Sequence, residues 1–524
     1  MAGGLRQRRA QATKGGRKDG DGAAAGAEDK PRAATAGSGR SLTIAIGGVL
    51  TLLGVATYTF SRRAGLEVPH TPAAAQTPLE SVEAKRTAAR AALDGLPAAQ
   101  RRERAKQVGL LTDDEVDAIL HAHESSWALP VRGGGGIAQL RVDTNQVSSN
   151  SPIEDYLAWA PLRPDAEGGA PRYMFGVFDG HAGHACAEQL AARMAPMLNE
   201  TLEIVGRGQA AKDAPLLEHS PSRELVRTVR ELERGSGPGW DRVPLALTAA
   251  FVRMDDELVH GALGEFRRAQ DLGRMDALLG PAVAGSCGLV AVVDAAAGEV
   301  VVANTGDSRA LLGVRLGDGR WKAVRLSEDQ TAKNRNEAAR LTREHPGEPA
   351  VIRGGRVLGA LMPTRAFGDC RYKWPLEAQQ DLFPVLYARG HRYATTPPDY
   401  ASPPYVTAKP VIVKHKLGAN DKFIVIASDG LYDQLSDAEV VDTVAQWFEA
   451  NAAANATAAA TVTSEPAPLT TQDANAATHL VRAALSTDRL GRRSDAVIRR
   501  LLAIPPPHSR RFRDDISVTV VSLL

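Results

Sequence analysis

Three apolar stretches, Gly288–Asp294 (GLVAVVD), Glu299–Asn304 (EVVVAN) and Arg309–Leu316 (RALLGVRL), follow one another with only AAAG and TGDS between them. A parallel pair of strands needs a crossover of a dozen or more residues, usually a helix. Connections this short predict antiparallel neighbours and argue against a doubly wound parallel sheet. Further β-like runs occur at Tyr173–Phe178, Lys422–Ala427 and Ile516–Leu523. Helical patterns flank these runs rather than alternating with them. GHACAEQLAARMAPML places Leu190, Met194 and Met197 on one face, and DAEVVDTVAQWFEA follows the strand at Lys422. Such helices cover sheets from outside, so the expected class is α+β, a layered body of antiparallel sheets and flanking helices.

Net charge is +2 over 524 residues, too little for the basic field that drives phosphate-backbone binding, so nucleic acid is not an expected partner. Cys186, Cys287 and Cys370 are widely spaced without a CxxC, which excludes a disulfide scaffold and a thiolate zinc site. The first 41 residues are rich in Gly, Ala, Lys and Arg and read as a disordered tail. Arg6, Arg8, Arg9, Lys14, Arg17 and Lys18 precede any acid, a bias of mitochondrial transit peptides. Residues 42–60 read LTIAIGGVLTLLGVATYTF without a charge. At 1.5 Å per residue the run measures about 28 Å, nearly the hydrocarbon thickness of a bilayer, so a transmembrane helix is expected. Residues 61–106 read as a linker with some helix, and 107–524 as the catalytic body. In Leu111–Ser125, Thr112 is the expected N-cap with Glu115 closing a capping box. Asn451–Thr471 has the composition of a disordered insert.

The acids are placed informatively. IED (Ile153–Asp155), VFDGHAG (Val177–Gly183), NTGDSR (Asn304–Arg309), ASDGLYD (Ala427–Asp433) and RDDIS (Arg513–Ser517) set carboxylates near the ends of apolar strands. A carboxylate there is costly to desolvate unless a cation meets it. A lone Asp-Gly is ordinarily a turn, but five acidic motifs at strand termini in one chain point to convergence on a metal. Oxygen donors without a Cys or His cluster suit Mg²⁺ or Mn²⁺, and paired ions of this kind serve displacement at phosphorus. His181, two residues after Asp179, is placed to protonate a leaving alkoxide. No Gly run is followed by GK[ST], so no nucleotide-driven transfer is expected.

FGVFDGHAG, VANTGDSRALL, LMPTRAFGD (Leu361–Asp369), FIVIASDGLYD and RRFRDDISV resemble, in order and spacing, the motifs of the type 2C metal-dependent serine/threonine phosphatases. NSPIED, the insert Leu326–Met362, Pro397–Leu417 and Asp473–Leu485 are similar to segments of the pyruvate dehydrogenase phosphatase subfamily. The resemblance runs from about Gln107 to the C-terminus. It implies an α-β-β-α sandwich of two antiparallel sheets. It implies that Asp179 bridges two metal ions, that Asp429 and Asp514 complete one site, and that Glu154 with the Gly180 carbonyl serves the other. Asp155 would then orient the attacking water and His181 act as general acid. Asp307 and Asp433, with Asp429, match positions that hold a third ion in some members. The implied substrate is a mitochondrial phosphoprotein, the E1 component of the pyruvate dehydrogenase complex; the uncharged run 42–60, which lies outside the resemblance, is read as an anchor in the inner membrane. The alternatives are other mitochondrial phosphoproteins, or an inactive tethered scaffold whose mark would be a lost carboxylate. Asn150 stands where many members carry a phosphate-gripping arginine, Cys287 where GST is usual, Tyr432 where DGLW is usual, and Gln330 where a histidine is usual. None of these removes an implied metal ligand.

Overall fold

In the computed structural model of the protein, the described residues are 76–131, 137–164, 172–206, 227, 242–488 apart from 461–472, and 490–524, with side chains from 78 onward and not at 452–460. They belong to one unit, His70–Leu524. The tail 1–41, the apolar run 42–60, residues 61–75 and most of the insert lie outside them.

Two antiparallel sheets form the centre. One has the strand order Ser125–Pro130, Gln139–Val147, Ile516–Leu523, Asp421–Ala427, Arg309–Arg315, Trp321–Arg325. The other has the order Val411–Lys416, Glu299–Thr305, Gly288–Asp294, Arg172–Phe178, Tyr156–Leu162. Alternation along each strand sorts its side chains to opposite faces. Ile424 and Ile426 join Leu312, Phe175, Val177, Leu289 and Val302 in the core between the sheets. Val425, Val518 and Val520 point the other way, onto Val440, Val444, Trp447, Leu480 and Leu485 of the helices Asp437–Ala460 and Ala476–Ser486. On the far side Met174, Val290 and Val292 meet Leu190, Met194, Leu247 and Phe251 of the helices Ala185–Gly206 and Arg242–Asp256. This is the expected α-β-β-α sandwich.

Three sequence expectations change. Gly288–Asp294 and Glu299–Thr305 do pair as an antiparallel hairpin, but Arg309–Arg315 leaves that sheet and pairs with Asp421–Ala427 and Trp321–Arg325 in the facing one. TGDS is a corner between sheets, not a hairpin turn. Gly306 makes the corner at φ +112°, where an added Cβ would lie 2.3 Å from Cys287 Sγ, a conformation and a contact that only glycine tolerates.

The stretch 61–106 is more than a linker. Within it Gln76–Asp94 and Ala98–Ala105 are helices, and Val82 is fully buried with Leu111, Val116 and Leu120. Leu93 packs on Ala105 and Ile504, and Lys85 reaches Glu115 at 2.6 Å. Apolar side chains spaced along Gln76–Asp94 give the helix a face the body can cover. Finally, the helix Asp437–Ala460 continues through the first ten residues of the stretch read as a disordered insert, because Ala and Asn there follow an established helix whose Trp447 is buried. The capped helix forms at Asp113–His121, with Thr112 accepting from the Glu115 N–H and Glu115 accepting from the Thr112 N–H.

Candidate active site

Strand register brings the acidic motifs together at one end of the sandwich. Tyr156 pairs with Phe178, which sets Glu154 and Asp155 beside Asp179 and Gly180. Ala427 lies between Arg309 on one neighbour and Val518 on the other, which sets Asp429 beside Asp307 and Asp514. One carboxylate oxygen each from Asp179, Asp307 and Asp429 lies within 4.8 Å of the others. Two glycines allow this crowding. A Cβ on Gly180 would stand 2.3 Å from the Glu154 carbonyl oxygen, and one on Gly430 would stand 2.0 Å from that of Asp515.

Electrostatically the cluster is frustrated as it stands. Burial, then the neighbouring carboxylates, push Asp179 and Asp429 well above the usual carboxylate range. Burial and Asp515 raise Asp155 to about 8, against hydrogen bonds from Ser428 and Ser517. Burial raises Asp514 to about 6 despite Arg510, which sits 2.7 Å away. Burial also raises Glu154, Asp307 and Asp433. Asp155 Oδ2 is buried without a hydrogen-bond partner. Among the described residues no Lys or Arg is paired with Asp179 or Asp429. An all-oxygen donor set with unsatisfied charge fits hard divalent cations, Mg²⁺ or Mn²⁺.

The sequence-derived candidates are thus gathered, with one difference in grouping. Asp307, assigned to a third site, shares the tightest group with Asp179 and Asp429. Asp514 is turned to Arg510 and to the Asp515 N–H. Glu154 accepts from the Gly183 N–H at 2.8 Å and from Asn150 Nδ2 at 3.3 Å.

Two contributors were not legible beforehand. Asp515 organises the NSPIED loop. Its carboxylate accepts the N–H groups of Ser149, Asn150 and Glu154 and the Asn150 amide, the last two at 2.9 and 3.0 Å. Asn150, in the place of an arginine, is therefore committed to this loop. The only sequence signal was the second acid of the Asp514-Asp515 pair. Asp369 is the other, with Oδ2 2.8 Å from His181 Nε2. Burial alone would lower the His181 pKa, but Asp369, together with Asp307 and Glu154, outweighs it and raises it. Cys287, in place of threonine, donates its thiol to Asp307 at 3.0 Å.

The sequence pattern of the Protein phosphatase 2C family matches residues 252–476. A protein phosphatase 2C homolog of Schizosaccharomyces pombe is 36% identical over 404 residues, covering 73% of this chain and 80% of that protein. The chain belongs to the protein phosphatase 2C family. Two other relatives carry a more specific name. The mitochondrial [pyruvate dehydrogenase [acetyl-transferring]]-phosphatase 1 of Saccharomyces cerevisiae is 34% identical over 463 residues, 80% of this chain and 74% of that one. Its Homo sapiens namesake is 32% identical over 456 residues, 78% and 83% respectively. As a family member the chain is a Mg²⁺- or Mn²⁺-dependent protein serine/threonine phosphatase, and the group of Asp179, Asp307 and Asp429 is one that could hold a cation.

Proposed function

We propose that the chain dephosphorylates phosphoserine in the E1 component of the pyruvate dehydrogenase complex, inside mitochondria, and that residues 42–60 hold it in the inner membrane. The substrate and compartment are supported by the names of the S. cerevisiae and human relatives. The anchor is supported by the uncharged length of 42–60 alone. Among the described residues no helix is long and apolar enough to cross a membrane.

In this reading Asp179, Asp429 and Asp514 hold one cation, Glu154 and the Gly180 carbonyl with Asp179 hold the second, and Asp307 and Asp433 with Asp429 offer a third position. Bound cations lower the pKa of water and offset charge developing on the phosphoryl oxygens. The chain's own residues do the rest. Asp155, with one oxygen free and the other held by serines, orients the attacking water and accepts its proton. His181 donates a proton to the departing seryl oxygen, which is a poor leaving group without one.

The observation that carries the reading is the group of Asp179, Asp307 and Asp429 within 4.8 Å. Its test is phosphate release from phosphorylated E1 against an unrelated phosphoserine protein, across a Mn²⁺ series. Preference for E1 is expected, with release falling to background in chelator. Equal turnover of both proteins would remove the substrate assignment, and metal-independent release would remove the site.

A further inference from the structure

Beside the two large sheets is a third, built from strands of two residues: Gly180–His181, Gly285–Ser286 and Phe367–Gly368. Gly285–Ser286 is central. His181 pairs with Gly285 on one side, and Gly368 pairs with Gly285 on the other. The side chains of His181 and Asp369 therefore meet over Gly285, at 2.8 Å between Nε2 and Oδ2. A Cβ on Gly285 would lie 2.1 Å from that nitrogen and 2.6 Å from that oxygen. The contact occupies the space that glycine leaves.

The Asp369 side of this contact is held by strain and by buried charge. Asp369 adopts the left-handed conformation at φ +53°, which costs a residue with a Cβ about 1 kcal/mol or more. Gly368 before it is at φ +66°, and a Cβ there would be 2.2 Å from the Ala284 carbonyl oxygen. The Asp369 N–H donates to that same oxygen at 2.9 Å. The Gly368 N–H donates to Asp255 Oδ1 at 2.8 Å, and Lys373 Nζ meets both Asp255 oxygens at 2.7 Å and the Ala366 carbonyl at 2.8 Å. A buried ion pair thus fixes the turn that carries Asp369. The Asp369 side chain is 4% exposed and the His181 ring 26% exposed. No partner among the described residues takes His181 Nδ1. Strained backbone that the surroundings over-determine is commonly kept for function.

We propose that Asp369 is the positioning residue of His181: it accepts the Nε2–H, fixes the plane of the ring, and leaves Nδ1 as the nitrogen that delivers the proton. As the water oxygen bonds to phosphorus, the P–O bond to serine breaks with its electron pair on the seryl oxygen. That oxygen takes the Nδ1 proton, the N–H pair returns to the imidazole, and the water's proton passes to Asp155. The neutral ring that results keeps Nε2–H on Asp369. This inference rests on the reading of His181 as proton donor.

The test uses the full chain with saturating Mn²⁺ and compares Asp369→Ala, Asp369→Asn, His181→Ala and the double variant His181→Ala/Asp369→Ala. Two substrates are used, a phosphoserine peptide and 4-nitrophenyl phosphate, whose leaving group departs without a proton. Asp369→Ala is expected to lower kcat on the peptide by roughly 10-fold to 100-fold, short of the ~10²–10⁴ typical of losing the acid itself. KM stays within about twofold, and the nitrophenyl ester loses little. Asp369→Asn, nearly isosteric and still an acceptor, restores part of the loss. Adding Asp369→Ala to His181→Ala costs nothing further. Mn²⁺ affinity measured by calorimetry stays that of the parent, which separates positioning from damage to the metal site. If His181→Ala shows no difference between substrates, the proton-donor reading falls and this inference with it. If His181→Ala discriminates but Asp369→Ala costs both substrates equally, adds to His181→Ala, or weakens Mn²⁺, the positioning role alone is overturned. Should Asp369→Ala not fold, Asp369→Asn and Gly285→Ala, which drives a methyl into the contact, are judged by the same substrate difference.

Discussion

Glu337→Gln tests how the insert Leu326–Met362 supports the catalytic motif. Glu337, on the helix Arg335–Glu344, is 4% exposed. It receives Arg365 Nη2 at 2.7 Å and Nε at 3.0 Å, Arg340 Nη2 at 2.8 Å, and the Thr364 hydroxyl at 2.8 Å. Thr364 and Arg365 lead directly into the strand Phe367–Gly368. Burial alone would raise the Glu337 carboxyl, but Arg365 and Arg340 outweigh it and hold it at about 2, against 4.5 when free. A gap of that size is worth about 3 kcal/mol at neutral pH. Replacing one oxygen by an amide leaves two buried guanidinium groups short of charge, and breaking a buried pair costs about 3–5 kcal/mol. The two routes agree on a loss near 3 kcal/mol. Because the folded-state value lies below the unfolded one, the stabilisation is present above about pH 4.5 and is lost as pH falls toward 2. Urea unfolding of parent and variant should therefore differ by about 3 kcal/mol at pH 7, the gap closing to about 1 kcal/mol by pH 3. A difference under about 1 kcal/mol at pH 7, or one that does not narrow with acid, would refute the reasoning.

Asp179→Asn or Asp429→Asn should abolish Mn²⁺-dependent release of phosphate while leaving circular dichroism unchanged, and full turnover by a folded Asp179→Asn protein would sink the cation reading. Leu93→Ala should lower the unfolding free energy by about 2–5 kcal/mol, the range for a buried leucine; no change would mean that the stretch before residue 107 is only a tether. Carbonate washing of isolated mitochondria should leave the full-length chain in the membrane pellet, and its release would exclude an anchor at 42–60.

Residues adjacent in the chain carried much of this protein's chemistry openly. The apolar runs at Gly288–Asp294 and Ile516–Leu523 form strands with those bounds, because alternation and burial are written in consecutive side chains. Thr112 and Glu115 close their capping box because both partners lie within one helical turn. The acids of IED, DGHAG, TGDS, SDGLYD and RDDIS were visible as candidates because each lies beside one end of an apolar stretch, where a bare charge is costly to bury. Tertiary structure decided which distant pieces meet. Arg309–Arg315 crosses to the facing sheet because its apolar side chains are buried on both faces there, a choice made by long-range packing that a four-residue connection does not record. Val82 turns an apparent linker into part of the core for the same reason. The contact between His181 and Asp369 spans 188 positions and exists only because a two-residue strand at Gly285 lies between them. No local pattern encodes such a pairing, since its energy comes from bringing three separate segments into register at once.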